Sequence, residues 1–441
     1  MSLESSRERT EEGLPSSATS AEVHDDPVVQ EGSEEGQHSA IATSGGNQGM
    51  DTHPVLQDPF AFYKTGMTAF RQYQLSGQVE DLNRAVECWN EALNLIPSDS
   101  PDRSTYLSNL GIGLHDRYTH TGDLADLEAA IIAFQQAVQA APTTSPGRPG
   151  YLSNLGTGLC DRYARTRNPT DLDAAVAAFQ QGLQATPLDS PDRPGRLSNL
   201  GIGFYNRYAN TGDLADLEAA IASFQQAVQV APSNPVPMPG HLSNLGSGLR
   251  DRYARTGDLA DLEAAIAAFQ QAIQVAPSNS PRRPGYLSNL GNGLRDRYAR
   301  TGNLADLDAA ITAFQQAVQA TPSHSPGRPI YLSNLGTGLR DRYARTGNLA
   351  DLDAAISVFH QAVQVVPPTS LHWPTLLENL GIGLHNRYSS TGDLTDLEAA
   401  ITIFQQAVQA TVPTSPHRPE YVSNLGNGLH DRYAQSGDPV S

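Results

Sequence analysis

The residue types that most often carry chemistry are scattered along this chain. It contains 12 histidines, and His115 and His120 come nearest to a metal-ligand pair, but positions five apart do not share a helix face. The two cysteines, Cys88 and Cys160, form no CxxC motif, so neither a disulfide framework nor a cysteine zinc site is expected. No serine lies at the strand-to-helix turn that a hydrolase nucleophile requires. The sequence therefore predicts a non-catalytic protein with no metal and no cofactor.

A Gly-x-Gly motif recurs along the chain, for example at Gly111-Ile112-Gly113 and Gly291-Asn292-Gly293. A phosphate-binding loop places such glycines between a strand and the start of a helix. Here the motif falls in the middle of a predicted helix, so we interpret it as a site of close helix packing. Each mid-helix glycine costs about 1 kcal/mol relative to alanine, and its repetition therefore indicates that packing requires it.

The charge balance excludes one class of partner. The chain has 29 Lys and Arg against 47 Asp and Glu, a net charge of −18, whereas nucleic-acid-binding proteins present basic surfaces. No run of about 18 apolar residues predicts a transmembrane helix, and the polar N-terminal segment lacks the apolar core of a signal peptide. We therefore expect a cytoplasmic protein, with a nuclear location left open, and neither a nucleic-acid nor a membrane partner.

Residues 1–58 differ in composition from the rest of the chain. They contain 12 acidic residues and two arginines, a net charge of −10, and no aromatic residue. Such a segment buries too little apolar surface to offset the entropy that ordering would cost. We predict a disordered acidic tail.

From residue 59 onward, the sequence repeats itself every 45 residues. Eight full repeats fill residues 59–418, and a half repeat occupies residues 419–441. Self-similarity at a fixed period of this length is typical of one elongated array rather than of separate globular domains. The clearest series consists of Leu107, Leu152, Leu197, Leu242, Leu287, Leu332, Leu377 and Val422.

Each repeat contains two predicted helices. The apolar face of the first, which we call helix A, consists in residues 149–193 of Leu152, Leu155, Gly156, Leu159 and Tyr163. A Thr-Gly-Asp or Thr-Gly-Asn turn follows, and either Asp258 or Asp261 is suited to be the N-cap of the second helix, helix B. The predicted apolar stripe of that helix B consists of Leu259, Leu262, Ala265, Ile266, Phe269 and Ile273.

The pattern of small and large residues resembles a known family. Leu110-Gly111, Leu114, Ala130, Phe134, Ala137 and Pro142 resemble the tetratricopeptide repeat, whose usual unit is shorter, at about 34 residues. The Leu-Ser-Asn-Leu-Gly run is similar to the repeats of kinesin light chains, and the fuller pattern resembles long arrays of fungal proteins, some of which precede a CHAT-type peptidase domain. The resemblance implies an all-α, right-handed solenoid, here of eight helix pairs and one further helix A.

One asparagine recurs in eight of the nine predicted A helices. In tetratricopeptide arrays helix A lines a concave groove, and kinesin-light-chain-like repeats carry there an asparagine ladder that binds peptide backbone. The resemblance therefore implies a peptide-binding role, while a hydrogen bond between repeats that only fixes their stacking is the open alternative. These residues are Asn109, Asn154, Asn199, Asn244, Asn289, Asn334, Asn379 and Asn424.

Six positions after each asparagine, the residue type varies between repeats. Arg250, Arg295 and Arg340 occupy this position in three successive repeats, which predicts a basic row suited to an acidic or phosphorylated peptide. Neutral variation of exposed positions would produce the same pattern. The full series is His115, Cys160, Tyr205, Arg250, Arg295, Arg340, His385 and His430.

These observations favour a scaffold that binds a protein or peptide in the groove. Two alternatives stay open: the regulatory repeat portion of a larger CHAT-type peptidase, and an accessory scaffold for a multi-enzyme pathway. In the half repeat, Leu425, Leu429 and Tyr433 keep the apolar pattern of the internal repeats. We therefore also expect weak self-association through that helix.

Overall fold

The computed structural model of the chain describes residues 58–229 and 238–436. Seventeen α-helices occupy these ranges, and no strand occurs within them, which confirms the all-α prediction. The predicted acidic tail lies outside the described residues except for Asp58.

The chain divides into two compact units, residues 1–233 and 234–441. In both units, odd-numbered helices are the predicted A helices and even-numbered helices are the B helices. Unit 1 contains α1 (Pro59–Ser76), α2 (Val79–Leu95), α3 (Arg103–Thr121), α4 (Leu124–Ala140), α5 (Arg148–Thr166), α6 (Pro169–Gln184), α7 (Arg193–Thr211) and α8 (Leu214–Gln229). Unit 2 contains α9 (Pro239–Thr256), α10 (Leu259–Val275), α11 (Arg283–Thr301), α12 (Leu304–Ala320), α13 (Arg328–Thr346), α14 (Leu349–Val365), α15 (Trp373–Thr391), α16 (Leu394–Ala410) and α17 (Arg418–Ser436).

The turn between helix A and helix B follows from two local signals. α11 ends at Thr301 and is followed by Gly302, whose φ of 69° is a left-handed conformation that glycine adopts without strain. α10 begins after Asp258, whose carboxylate accepts a hydrogen bond from the Ala260 backbone N–H at 2.9 Å. Of the two N-cap candidates, Asp258 is therefore the cap, and Asp261 has a different partner.

Packing within each unit proceeds from neighbour to neighbour. Each helix contacts the next along the chain, and each helix A also contacts the next helix A of its unit. In α12, Leu307, Ile311 and Phe314 are almost completely buried, as the predicted apolar stripe requires. One predicted member of the stripe in α10 is wrong: Leu259 is 39% exposed because it is the first residue of the helix.

The Gly-x-Gly motif lies where helix A meets two B helices. A Cβ atom on Gly291 would lie 2.4 Å from Cε1 of Phe314 in the helix B of its own repeat. A Cβ atom on Gly293 would lie 3.1 Å from Cγ1 of Ile266 in the preceding helix B. The two glycines thus allow close approach on both sides of α11, as the packing interpretation predicts.

A forked ion pair joins the two helices of each full repeat after the first, in which Gln72 replaces the arginine. Arg297 donates from Nε and Nη2 to the two carboxylate oxygens of Asp306, at 3.0 and 2.6 Å, and from Nη1 to Glu263 of the preceding helix B at 2.8 Å. One side chain therefore connects three helices, and its bidentate geometry gives both strength and orientation. The same fork forms in Arg117–Asp126, Arg162–Asp171, Arg207–Asp216, Arg252–Asp261, Arg342–Asp351 and Arg387–Asp396.

A second arginine, which the sequence analysis did not single out, connects successive repeats. Arg328, the first residue of α13, donates from Nη1 to the carbonyl oxygens of Val318 and Thr321 at 2.7 and 2.5 Å. These carbonyls lie at the C-terminal end of α12, where a helix leaves acceptors unpaired and a cation is favoured. Arg103, Arg148, Arg193, Arg283 and Arg418 make the equivalent contacts.

The last described helix, α17, keeps part of its apolar face exposed. Leu425 and Leu429 pack against α15 and α16, whereas Val422 and Tyr433 are 48% and 49% exposed. A Cβ atom on Gly426 would meet nothing within 4 Å, unlike the equivalent glycines of the internal repeats. Self-association through this helix stays a prediction.

Candidate peptide-binding surface

The predicted site residues lie on A helices and are partly exposed. We call the portion in unit 2 the helix-A surface. It consists of Asn244, Asn289, Asn334, Asn379, Asn424, Arg250, Arg295 and Arg340. Asn109, Asn154 and Asn199 occupy the equivalent positions in unit 1 and are half-buried as well.

Four asparagines of unit 2, from Asn289 onward, bond to the preceding helix A. Asn289, Asn334 and Asn379 donate from Nδ2 to a serine hydroxyl 46 residues earlier, at 3.1, 2.9 and 3.2 Å. The acceptors are Ser243, Ser288 and Ser333. The contact that the stacking alternative requires is therefore present. It uses one donor of each amide, and peptide binding by the remaining atoms stays a prediction.

The same amides have more varied partners elsewhere. In unit 1, Asn109 donates to the Tyr63 hydroxyl at 2.8 Å, and Asn154 lies 3.5 Å from the Ser108 hydroxyl. The serine 46 residues before Asn199 is Ser153, and its hydroxyl accepts a hydrogen bond from Arg196 at 2.7 Å.

Two of the three predicted arginines are paired within the chain. Arg250 Nε lies 2.6 Å from Asp296 Oδ2, and Arg295 Nε lies 3.6 Å from Asp341 Oδ2. Each carboxylate belongs to the next helix A. The three arginines therefore do not form a uniform row of available cations. The sequence of one repeat alone does not show these pairs, because each partner belongs to the next repeat.

Arg340 has different surroundings. Its guanidinium lies over the ring of Phe359, 5.9 Å from the centroid, and Nη1 donates to Asn379 Oδ1 at 3.4 Å. Burial lowers the pKa of Arg340, an effect that Asp341 and Glu378 oppose and Arg295 reinforces. The guanidinium nevertheless stays protonated, as arginine does in proteins.

Glu378 is a buried acid that the sequence analysis did not identify. It replaces the serine of the other repeats and accepts a hydrogen bond from Asn424 Nδ2 at 2.8 Å. Burial and the neighbouring Glu420 raise the pKa of Glu378 to about 7, against the opposing effects of Asn424 and Arg340. The sequence signal that could have identified Glu378 is the replacement of the recurring serine by an acidic residue.

Two observations concern metal binding and cysteine reactivity. No group of three or more His, Cys, Asp or Glu residues that could hold a metal ion occurs in residues 58–229 and 238–436. Burial raises the pKa of the Cys160 thiol to about 12, so the nucleophilic thiolate is scarce at neutral pH. Within the same ranges, no helix has the length and hydropathy needed to cross a lipid bilayer.

One family model matches part of the chain. A tetratricopeptide-repeat family model matches residues 257–279, which comprise the turn before α10, α10 itself and the residues after it. The comparison with curated proteins found no match.

Among solved structures, a thermophilic TPR protein from Thermus thermophilus is 18% identical, over 53% of this chain and 98% of its own, with a TM-score of 0.36. YrrB, a TPR protein with an unusual peptide-binding site, is 15% identical over 57% of this chain and 97% of its own, with a TM-score of 0.33. A Podosopora anserina kinesin light chain with nearly identical TPR-like repeats is 17% identical over 50% of this chain and 100% of its own, with a TM-score of 0.36. The predicted resemblance to tetratricopeptide repeats is confirmed by the family model over residues 257–279, and each unit is an array of helix pairs.

Proposed function

We propose that the chain is a non-catalytic protein-interaction scaffold and that its helix-A surface binds an extended protein segment. One observation carries the proposal: the asparagine amides combine a structural bond with unused hydrogen-bonding capacity. Within the part of the chain that the structure describes, Oδ1 of Asn289 and Asn334 accepts no hydrogen bond from the protein, and both side chains are partly exposed. An amide of this kind can accept from one peptide group and donate to another.

The two alternatives for the asparagines are therefore compatible. The bond to the preceding serine fixes the position of the amide, while Oδ1 and the second Nδ2 hydrogen serve a ligand. Preorganised polar groups lose less entropy on binding than mobile ones, so the stacking bond itself favours recognition.

The length of the ligand follows from the spacing of the A helices. Unit 2 contains five of them, and packed helices lie about 10 Å apart, which gives a span of about 40 Å. An extended chain rises about 3.3 Å per residue, so roughly 12 residues cover this span.

The test is selection of 12-residue peptides by display on the full chain, followed by titration of the strongest binder. We expect the double variant Asn289→Ala, Asn334→Ala to weaken binding roughly tenfold or more, because each lost hydrogen bond contributes about 1 kcal/mol. Exposed glutamines on B helices supply the matched control: Gln270→Ala, Gln315→Ala should leave affinity unchanged.

A second double variant distinguishes a role of the amides in peptide binding from a role in stacking the repeats. Ser243→Ala, Ser288→Ala removes the acceptors of the stacking bonds but keeps both amides, so binding should largely persist while the melting temperature falls. If the serine variants lose as much affinity as the asparagine variants, the amides act only in stacking. If display enriches no peptide, the proposed function is wrong.

A further inference from the structure

In four repeats, the variable position on helix A contacts an acidic side chain of the next helix A. In each pair, a basic side chain contacts the acidic residue that lies 46 positions later and belongs to the next helix A. We call this series the charge ladder. It comprises His115–Asp161 at 2.5 Å in unit 1, and Arg250–Asp296 at 2.6 Å, Arg295–Asp341 at 3.6 Å and His385–Asp431 at 2.8 Å in unit 2.

The ladder is interrupted at Arg340. The residue 46 positions later is Asn386, which carries no charge and occupies the place of Asp296 and Asp341 in their repeats. Among residues 58–229 and 238–436, no carboxylate oxygen lies within 4.0 Å of a guanidinium nitrogen of Arg340, the limit for an ion pair. Its hydrogen bond to the Asn379 amide oxygen is long, at 3.4 Å.

The surroundings of Arg340 make an incoming anion favourable. The Phe359 ring covers one side of the guanidinium and reduces its contact with water, which strengthens any ion pair formed there. A partly buried cation without a close counter-charge is costly, and a ligand carboxylate would remove that cost. Glu378, which with Asp341 acts electrostatically on Arg340, has its carboxylate bonded to Asn424.

We propose that Arg340 forms an anion seat for one Asp or Glu side chain of the bound protein segment, flanked by the amides of Asn379 and Asn386. The ladder itself indicates the ligand chemistry, because an aspartate occupies the equivalent place beside Arg250 and Arg295. These two arginines are already neutralised, so specificity for an acidic residue is confined to one repeat. The inference deepens the proposed function and rests on it for the identity of the ligand.

The ladder provides variants that change the seat without removing its cation. Asn386→Asp gives Arg340 the carboxylate that its neighbours have and should close the seat. Asp341→Asn removes the partner of Arg295 and should open a second seat one repeat earlier. Arg340→Gln should abolish the seat, while Arg345→Gln, at an exposed arginine of the same helix outside the helix-A surface, is the matched control.

The first experiment titrates the full chain with glutarate and, in parallel, with inorganic phosphate, while following arginine guanidinium resonances by NMR. The Arg340 signal is assigned by its loss in Arg340→Gln. We expect it to shift saturably in the parent chain but not in Asn386→Asp. A shift no larger than that of the Arg345 signal, assigned by its loss in Arg345→Gln, or one that persists in Asn386→Asp, would overturn the seat. Tighter binding of phosphate than of glutarate would make a phosphorylated residue the ligand and overturn the assignment to Asp or Glu.

The second experiment uses the selected peptide. Its affinity should fall at least tenfold on Asn386→Asp and on Arg340→Gln, and change less than twofold on Arg345→Gln. Replacing its acidic residues with the corresponding amides should remove the difference between the parent and Asn386→Asp. Equal affinity for the parent and Asn386→Asp would refute the seat and leave the scaffold function standing. If display enriches no peptide, the proposed function fails, and the small-anion titration still decides whether the seat exists.

Discussion

At the scale of single residues, one buried acid should make stability depend on pH. The pKa of Glu378 is raised to about 7 in the folded chain by burial and by Glu420, from an ordinary value of 4.5. The folded state therefore binds more protons than the unfolded state between these two values, and the free energy of unfolding falls as pH rises through this range.

The matched variant for this prediction is Glu378→Gln, which stays neutral at every pH. Compared with this variant, the parent should lose stability between about pH 4.5 and pH 7, by roughly 3 kcal/mol at most, and the difference should stay constant above pH 7. Thermal melts of both proteins across the pH range measure it. Parallel curves would mean that Glu378 titrates normally.

A second residue-scale prediction concerns the repeated glycines. Gly291→Ala would place a methyl group 2.4 Å from the fully buried Phe314 ring, so we expect a loss of about 1–3 kcal/mol of stability from overpacking. Gly285→Ala lies in the same helix, where the nearest atom is the Tyr331 hydroxyl at 3.6 Å. That control should be neutral or stabilising, by up to about 1 kcal/mol, because alanine favours helix formation. Equal effects of the two variants would argue against the packing role of the motif.

At the scale of helices, the arginine that begins helix A should stabilise the end of the preceding helix B. Arg328→Gln would remove a charged donor from the carbonyls of Val318 and Thr321, so we expect a loss of about 1–3 kcal/mol. Arg345→Gln changes an exposed arginine at the other end of α13 and should cost only a few tenths of a kcal/mol. Chemical denaturation of both variants measures the difference. A cost at Arg328 no larger than at Arg345 would contradict the capping role.

The helix pairs could be predicted from sequence because their signals are local. The stripe that includes Phe269 and the Gly257 turn recur at fixed spacing, and period and turn chemistry determine helix boundaries. The arginine cap could not be predicted in the same way, since Arg328 donates to main-chain carbonyls and no partner side chain marks the contact. The packing role of Gly291 was accessible because a glycine repeated in mid-helix requires an explanation.

The candidate site was only partly predictable for a related reason. The asparagine positions could be identified from repetition, but the partners of Arg250 and Arg295 lie 46 residues away on another helix. Only the joint variation of two positions across repeats indicates such a pair. In the two preceding repeats, an aspartate lies 46 positions after the arginine. The residue 46 positions after Arg340 is Asn386, and this difference in sequence indicates the interrupted ladder.

At the scale of the whole molecule, the repeat contacts allow a complete repeat to be removed from unit 2. Deleting residues 284–328 joins Arg283 to Pro329 and so reproduces the Arg-Pro pair that begins α11 and α13. The new neighbours match those they replace: Arg342 could reach Glu263 instead of Asp308, and Arg250 could reach Asp341 instead of Asp296. We expect a shorter folded array with unchanged helicity per residue, because stability in such arrays is nearly a sum over repeats and their interfaces.

The control for this deletion removes only part of a repeat. Deleting residues 284–303 eliminates most of α11 but keeps α12, which loses Arg297 as the partner of Asp306 and Gly291 as the surface facing Phe314. Buried apolar and charged side chains would then lack their partners, so this shorter deletion should lower the melting temperature and the helicity more than the longer one. Circular dichroism and thermal melts of the two deletions distinguish the outcomes. If removal of all 45 residues is the more damaging change, the helices of unit 2 depend on contacts beyond their neighbours, and the repeat is not the unit of folding.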